Sequence, residues 1–481
     1  MKRRLFPLLT LALMLALTVF ADAAETRTEE VVRSLGGTAG QINVLLNDRC
    51  IDFTDAAPES RDGRTMVPLR AALEAMGAEV DYDRATGTVS VRGGRADFTH
   101  VIGTDVITMS DGAQRRMDVA SYGTESGRTM VPVRFFSQVL GYDVYWDNDY
   151  RLVFLLDREA LIREADGGFS ILNDFLARSA QRFSAEKNVR RDVSFSGSVR
   201  ALGGGTESVP FSGSVVTLTG RDGMTLRMEG ELGALALLRT GGEALSEEAL
   251  AQLSPFRLEL LMGEGSFLRC PQLGSVSGGT FSPDTWYRLD AGLDLSALSR
   301  ALYTDGCTVG SMLYGLMERG DANRFYGAYA QYRTLLDAMT RMYGDGNYTP
   351  YRGGYSWRFG LDELAELLNG MAGETLHTAQ SLRARGLRMC SLDMTLLGSG
   401  GMDFGCTVSM DTADGETVRL DYRAEAFGRA QTRIKGSLRL GNAYEAVFSA
   451  EAAAHETMER IDAVPSGNVV DLPNFRRLFV G

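Results

Sequence analysis

The side chains in this 481-residue chain with most to offer chemically are three histidines, five cysteines, two aspartate-rich turns and one tyrosine-rich stretch. His100, His377 and His455 are far apart in sequence and form no H-x-H or H-E-x-x-H arrangement. Without ligand spacing, a metal site is the lesser reading and a hydrogen-bonded or surface histidine the greater. Cys50, Cys270, Cys307, Cys390 and Cys406 contain no C-x-x-C pair. One or two disulfides would satisfy that pattern, and so would five buried thiols. "DYDRATG" (Asp81 to Gly87) and "DNDY" (Asp147 to Tyr150) space oxygen-bearing side chains as a calcium loop does, but Asp, Asn and Gly favour turns for local reasons, and the turn reading is preferred. No G-x-S-x-G, no P-loop and no G-x-G-x-x-G after a strand occurs, and "LGGGT" at 202–206 lacks the helix and lysine of a phosphate cradle. The aromatic stretch is the most suggestive. Tyr343, Tyr348, Tyr351, Tyr355 and Trp357 are interrupted by Gly344, Gly346, Gly353 and Gly354. Exposed rings on a glycine-rich loop stack on sugars or grip peptides, whereas buried ones merely pin the loop to a core. Tyr348, Tyr351, Tyr355 and Trp357 are therefore the candidate ligand-contact residues. No catalytic, cofactor-binding or metal-binding residue is assigned.

The composition restricts where such a surface would work. Lys2, Arg3 and Arg4 precede an apolar run from Leu5 to Phe20, and Ala21-Asp22-Ala23 offers a small-x-small cleavage site. The run is shorter than the roughly 20 residues of a membrane span. Residues 1–23 are thus expected to be a signal peptide, and the protein to be extracytoplasmic, secreted or associated with the cell surface. The alternative is an uncleaved anchor, which would be the chain's one membrane contact. Net charge is −12, and residues 1–23 contribute +2 of it, leaving −14 on the remainder. That argues against nucleic acid or anionic lipid as the main partner.

The elements that would position any site begin with a repetition. "GRTMVPLR" (Gly63 to Arg70) returns as "GRTMVPVR" (Gly127 to Arg134), offset by 64 residues. At the same offset Gly77 meets Gly141, Tyr82 meets Trp146, Asp83 meets Asp147 and Val89 meets Val153. One structural unit is written twice, at 42–92 and 106–156. In each copy an alternating apolar segment meets a tight turn, Asn47-Asp48 or Asp111-Gly112. The phrase itself reads as a β-prone Thr-Met-Val. Pro68 or Pro132 then opens a helix at its first position, because proline cannot continue a central strand. Leu69, Ala72, Leu73 and Met76 recur at helical spacing, and Gly77, like Gly141, stands where a left-handed cap is needed. A second hairpin follows across Arg84 to Gly87. So short a helix must lie on a sheet to persist. Arg64, Pro68, Arg70 and Gly77, with Arg128, Pro132, Arg134 and Gly141, are the markers of the repeat.

These two segments resemble the halves of the copper amine oxidase-like N-terminal domain, also called the stalk domain, whose pattern is a G-R-t-x-V-P-l-R phrase, a short helix ending in L-G and an aromatic-centred hairpin. The first copy departs by having Met76-Gly77. The resemblance covers residues 40–157 and implies a non-catalytic module of exported proteins. It does not bring oxidase chemistry, which needs three copper-binding histidines with an H-x-H pair and a tyrosine in N-Y-[DE]. Here Asn347-Tyr348 is followed by Thr349, and no H-x-H exists.

Residues 158–481 have another texture. A long helix is expected over Leu161 to Lys187, then strands at 193–202, 209–219 and 224–238. A helix near 246–253 follows, then strands at 256–262 and 286–290 and a helix at 295–302. Further helices are expected at 308–343, 361–371 and 375–385, and an antiparallel meander from Leu387 to Glu451. Phe325, Tyr329, Tyr332, Leu336, Met339 and Tyr343 fall on one helical face and read as core. The fold class is α+β: a small duplicated hairpin/short-helix/hairpin domain, then a larger α+β domain with a curved antiparallel sheet and inserted helices. The larger domain loosely resembles lipoprotein-carrier-like half-barrels, which would imply an apolar groove. The expectation is an exported, non-catalytic envelope or extracellular protein in which a stalk-type module presents or anchors a larger binding domain. Its partner would be an envelope lipid, peptide or glycan, with no cofactor. The alternatives are an exported hydrolase with its catalytic group within 158–481, and a structural spacer.

Overall fold

The computed structural model describes residues 28–472 except 181–186, 204–207, 221–222, 235–254, 264, 273–281, 290–307, 319–320, 322, 373–376, 412–414, 428–430 and 464. The expected signal peptide, the helices at 246–253 and 295–302, and Cys307 lie outside the described residues. Two compact units divide the chain: one gathers residues 18–165 with 317–333, the other 166–316 with 334–481. Among the described residues no helix is long and apolar enough to cross a membrane.

The first unit opens with helix α1 (Thr28–Ser34) and the hairpin β1 (Asn43–Leu46) and β2 (Arg49–Cys50). Strands β3 (Glu59–Arg61) and β4 (Arg64–Pro68), helix α2 (Leu69–Ala75) and the hairpin β5 (Ala78–Asp83) and β6 (Thr88–Gly93) complete the first copy. After β7 (Phe98–Val101), the second copy supplies β8 (Val106–Met109), β9 (Gln114–Arg116), β10 (Tyr122–Gly123), β11 (Thr129–Pro132), α3 (Phe135–Gln138), β12 (Asp143–Asp147) and β13 (Leu152–Leu156). Every element of one copy has its counterpart 64 residues on. The exception is β7, which sequence reading passed over.

The repeated phrase pairs with itself. Strands β4 and β11 run antiparallel with Val67 opposite Val131, Met66 opposite Pro132 and Pro68 opposite Met130. Val67 and Val131 are repeat counterparts, so a local two-fold axis passes through that pair. Both are fully buried. The prolines are the last residues of their strands, not the first of a helix as the sequence suggested. Pro68 is extended (φ −61°, ψ 116°) and α2 begins one residue later. A strand end tolerates proline because the next ladder N–H is not required there. Gly77 (φ +82°) and Gly141 (φ +71°) turn the chain out of the helices.

The two copies also share their outer sheets. The β1–β2 hairpin of the first copy joins the β12–β13 hairpin of the second through a parallel β1–β13 pairing. The β5–β6 hairpin joins β8–β9 with β7 inserted between them. One core, including Val44, Val67, Leu73, Val91, Phe98, Val131, Phe135, Phe136 and Val153, lies beneath both. Neither copy closes a sheet by itself.

Helix α4 (Arg158–Asp166) and helix α5 (Ser170–Ala180) replace the single long helix expected from Leu161. Gly167 and Gly168 break it, and their lack of a side chain makes continuation costly. Strands β14 (Asn188–Ala201), β15 (Ser208–Gly220), β16 (Gly223–Glu231), β17 (Phe256–Met262), β18 (Ser266–Arg269) and β19 (Trp286–Leu289) follow. Helices α6 (Val309–Met317) and α7 (Tyr326–Tyr343) occupy what sequence reads as one helical stretch. Next come β20 (Tyr348–Tyr351), β21 (Gly354–Phe359), α8 (Leu361–Ala372), α9 (Ala379–Ala384) and the meander β22 (Leu387–Leu396), β23 (Met402–Asp411), β24 (Thr417–Phe427), β25 (Gln431–Leu440) and β26 (Tyr444–Thr457), then β27 (Val469–Leu472). A Thr378–Ser381 capping box sets the start of α9. Among the described residues, fourteen of these strands form one curled sheet in the order β20 to β26, then β14 to β19 and β27. The protein is α+β, with a long antiparallel sheet beside helical insertions.

Candidate functional site: a hairpin dock and an apolar sheet face

Tyr348 lies opposite Trp357, and Tyr351 opposite Gly354, so the aromatic stretch is a β-hairpin at the edge of the large sheet and not the loop that sequence suggested. Its glycines and Pro350 masked the alternation. Trp357 is buried, donates Nε1–H to the Met342 carbonyl at 2.6 Å and stacks on Tyr343 with centroids 5.1 Å apart. Tyr348 is buried too, and burial raises its phenol far above the ordinary range. Tyr351 and Tyr355 are exposed. Of the four candidate contacts, two are therefore core and two face solvent.

The histidines do not converge. His100 is buried, its Nδ1 2.8 Å from the Val106 carbonyl and its Nε2 2.7 Å from Ser121 Oγ, and burial lowers its pKa. His377 belongs to the sheet unit, where its N–H donates to Asn369 Oδ1. His455 is largely exposed, 4.0 Å from Asp192. Among the described residues no group of three or more His, Cys, Asp or Glu is arranged to hold a metal ion. Asp83 spends its carboxylate on Ala85 N–H and the Thr86 hydroxyl, which is a turn's local bonding. Cys50, Cys390 and Cys406 are free thiols whose pKa values burial raises, that of Cys390 to about 11. Shifts of this sign move thiols away from reactivity at neutral pH.

Two features not legible in the sequence stand out. The first is in the repeat unit. Asp147, at the tip of β12, is fully buried. One carboxylate oxygen accepts the N–H groups of Asp149 and Tyr150, and the other accepts the N–H of Tyr326 at 2.8 Å. Asn148 donates its N–H to the Asn323 carbonyl at 2.9 Å, and Asp149 pairs with Arg324 at 3.3 Å. Phe325 is buried against Tyr145, the rings parallel with centroids 3.9 Å apart, and meets Phe154 edge-on at 5.2 Å. Tyr326 packs on Tyr150, Tyr329 packs on Phe154, and Arg158 pairs with Glu318. The second copy's hairpin thus grips residues 323–329, the turn that leads into α7. Counterparts in the first copy are Asp81 for Tyr145 and Ser90 for Phe154, and Tyr82 there is exposed. The two hairpins share a backbone, but only one has the rings of a dock.

The second feature is in the sheet unit. Directly opposed residues on neighbouring antiparallel strands share a face. Phe448 lies between Gly436 and Gly197, and Gly197 is opposite Phe211. Two residues along, Phe195 is opposite Gly213, Gly213 opposite Gly230, and Gly230 opposite Phe256. A Cβ on Gly197, Gly213 or Gly436 would fall 2.4, 2.4 or 2.3 Å from the ring that covers it. The rings therefore lie flat on the sheet in a checkerboard with the glycines, and Met228, Leu438 and Tyr444 pack around them. The row through Phe195 runs on through Ala450, Ile434 and Ala424 to Phe404, Met394 and Trp357, and these last three are buried. Phe195 and Phe448 are only half-buried. The opposite face carries exposed Ser194, Ser196, Ser214, Arg433, Lys435 and Glu451.

The arginines of the repeated phrase bracket the local two-fold. Arg64 Nε donates to Asp118 at 2.8 Å, and Arg134 lies 3.5 Å from the same oxygen. Arg128 pairs with Asp55 at 2.7 Å. Arg70 donates to the Val80 carbonyl at 2.7 Å and lies 3.5 Å from Glu74.

Residues 45–155 match the family described as Copper amine oxidase N-terminal domain. The match covers the repeats and not the catalytic domain of that family, and it leaves the sheet unit unassigned. No curated protein matches the chain.

Proposed function

We propose that this is an exported, non-catalytic protein of the cell envelope or exterior, in which the repeat unit anchors and presents the larger sheet unit, and the sheet unit binds an apolar envelope ligand, with an acyl chain the best fit. The observation that carries the reading is the grip of the Tyr145–Phe154 hairpin on residues 323–329. The gripped turn opens α7, which continues as residues 334–343 in the other unit. The chain passes between the two units at 165–166, 316–317 and 333–334, and a module joined to the sheet unit by three chain crossings suits a mount. The basic-then-apolar leader supports export. The Phe–Gly checkerboard supports an apolar ligand: it offers flat ring faces and no charged group in its two central rows, so it rewards contact area and not hydrogen bonding.

A fluorescent long-chain fatty acid titrated into the purified protein tests the ligand half. Saturable binding is expected, and Phe448→Asp should weaken it at least about tenfold, since it places a charge among apolar contacts. Unchanged affinity in the variant refutes the assignment of that face. Fractionation of cells expressing the full chain tests export, and retention in the cytoplasm refutes it.

A further inference from the structure

One arginine interrupts the apolar face of the large sheet. On β14, Arg191 is two residues from Val193 and four from Phe195, so all three belong to the same face. Directly across the ladder from it are Thr217 and Ala454. On β14–β17 and β23–β26 the other described residues of that face are apolar, glycine or threonine, apart from Cys406 and Glu456. Glu456 is near the end of β26, opposite Val189, and pairs with Lys187 at 2.9 Å. Arginines of the opposite face are placed among acids: Arg190 pairs with Asp192 and Glu459, Arg200 with Glu445, and Arg433 with Glu451. No acid stands directly across from Arg191, and its side chain is half-buried. A guanidinium among apolar groups is unfavourable unless an anion meets it. Val193 is flanked by Val215 and Ala452, so the way from Arg191 to the Phe195 ring is apolar. At the usual rise of a strand it is about 13 Å long, within reach of one acyl chain.

We infer that Arg191 receives the acid group of an amphiphile whose acyl chain lies along β14, over Val193 and onto the Phe195 and Phe448 rings. This rests on the apolar-ligand reading above and adds the charge at the ligand's end, which makes Arg191 a specificity-determining residue. A carboxylate and a phosphate both suit a guanidinium, so the class is an acyl or alkyl chain ending in one acid. The net charge of −12 does not oppose this. It disfavours an anionic bilayer, which meets the field of the whole protein, whereas at physiological salt a single headgroup responds to charges within about 8 Å. Among the described residues, the charges on this margin of the face are two cations, Arg191 and Lys187, and one anion, Glu456.

The purified full-length protein is loaded with N-phenylnaphthylamine, an uncharged probe that fluoresces in apolar sites, and the probe is displaced with laurate, methyl laurate or dodecyl phosphate. Laurate should compete at about tenfold lower concentration than its methyl ester, which has the same chain and no charge. Arg191→Gln should remove that difference while leaving methyl laurate unchanged, and Arg190→Gln, on the opposite face, should keep it. If the probe does not bind, the apolar face is no ligand site and both readings fall. If the probe binds but laurate and methyl laurate compete alike, or if Arg191→Gln keeps the preference, the apolar face stands and Arg191 does not contact the acid. The wild-type comparison decides even where Arg191→Gln fails to fold. Dodecyl phosphate competing about tenfold better than laurate places the natural acid on a phosphate headgroup, and parity or the reverse places it on a free fatty acid.

Discussion

Trp357 and Tyr351 stand six residues apart in one aromatic cluster and have opposite fates. Alternation along β21 turns Trp357 inward, where the Met342 carbonyl satisfies its indole N–H. Tyr351, beside the turn, is left in water. Trp357→Ala should cost about 3–5 kcal/mol of unfolding free energy, while Tyr351→Ala and Tyr355→Ala should each fall within about 0.5 kcal/mol. Urea titration of the three variants checks this, and a large loss in Tyr351→Ala would contradict the placement. His100 offers a second test. Burial lowers its folded pKa below that of the unfolded chain, so the unfolded state binds the proton first. The associated stability is present above the ordinary imidazole pKa. It is lost as pH falls from there through the lowered folded value. Thermal midpoints measured downward from neutral pH should drop, and His100→Gln should flatten that slope. Val106 O and Ser121 Oγ flank the ring, and neither titrates in that window.

Among the elements, the β12–β13 hairpin carries the most consequence. A hairpin tip ordinarily spends an aspartate on its own turn, as Asp83 does. Asp147 does this with one oxygen and reserves the other for Tyr326. Asp147→Ala should therefore cost about 3 kcal/mol or more, because it strips several backbone donors of a charged acceptor, and Asp83→Ala far less. Calorimetric unfolding of the two variants measures the difference. In the large sheet the corresponding device is the glycine beneath a ring. Gly197→Ala would place a methyl 2.4 Å from the Phe211 ring and 2.3 Å from the Val447 carbonyl oxygen. It should destabilise by about 1–3 kcal/mol through overpacking. Ser196→Ala, on the exposed face, should not.

At the level of the whole molecule, the repeat unit is complete only with residues drawn from far along the chain. Residues 24–165 produced alone would expose Tyr145, Phe154 and the carboxylate of Asp147. They should gain thermal stability when a peptide of residues 317–333 is added, and the same peptide carrying Phe325→Ala should give little or none. Equal stabilisation by both peptides would show that the Phe325 stack contributes nothing to the grip. The stability of the repeat unit is thereby tied to the presence of residues 317–333.

The local content of this fold was legible in the residues. The 64-residue offset, the turns at Asn47-Asp48 and Asp111-Gly112, the helix-ending Gly77 and Gly141, and the closing meander all depend on propensity, periodicity and the φ freedom of glycine. Those properties act over a few residues, and a sequence displays them directly. Tertiary structure alone decided which copies share a sheet, that Val67 meets Val131, that β7 intervenes between β6 and β8, and that Phe325 stacks on Tyr145. These are pairings between segments up to 180 residues apart. Their energy comes from burying surfaces that no single segment can bury, so no local pattern records the choice of partner. The aromatic hairpin at 348–359 lies between these cases: its residue types announced that rings mattered there, and only the strand register decided which of them face water.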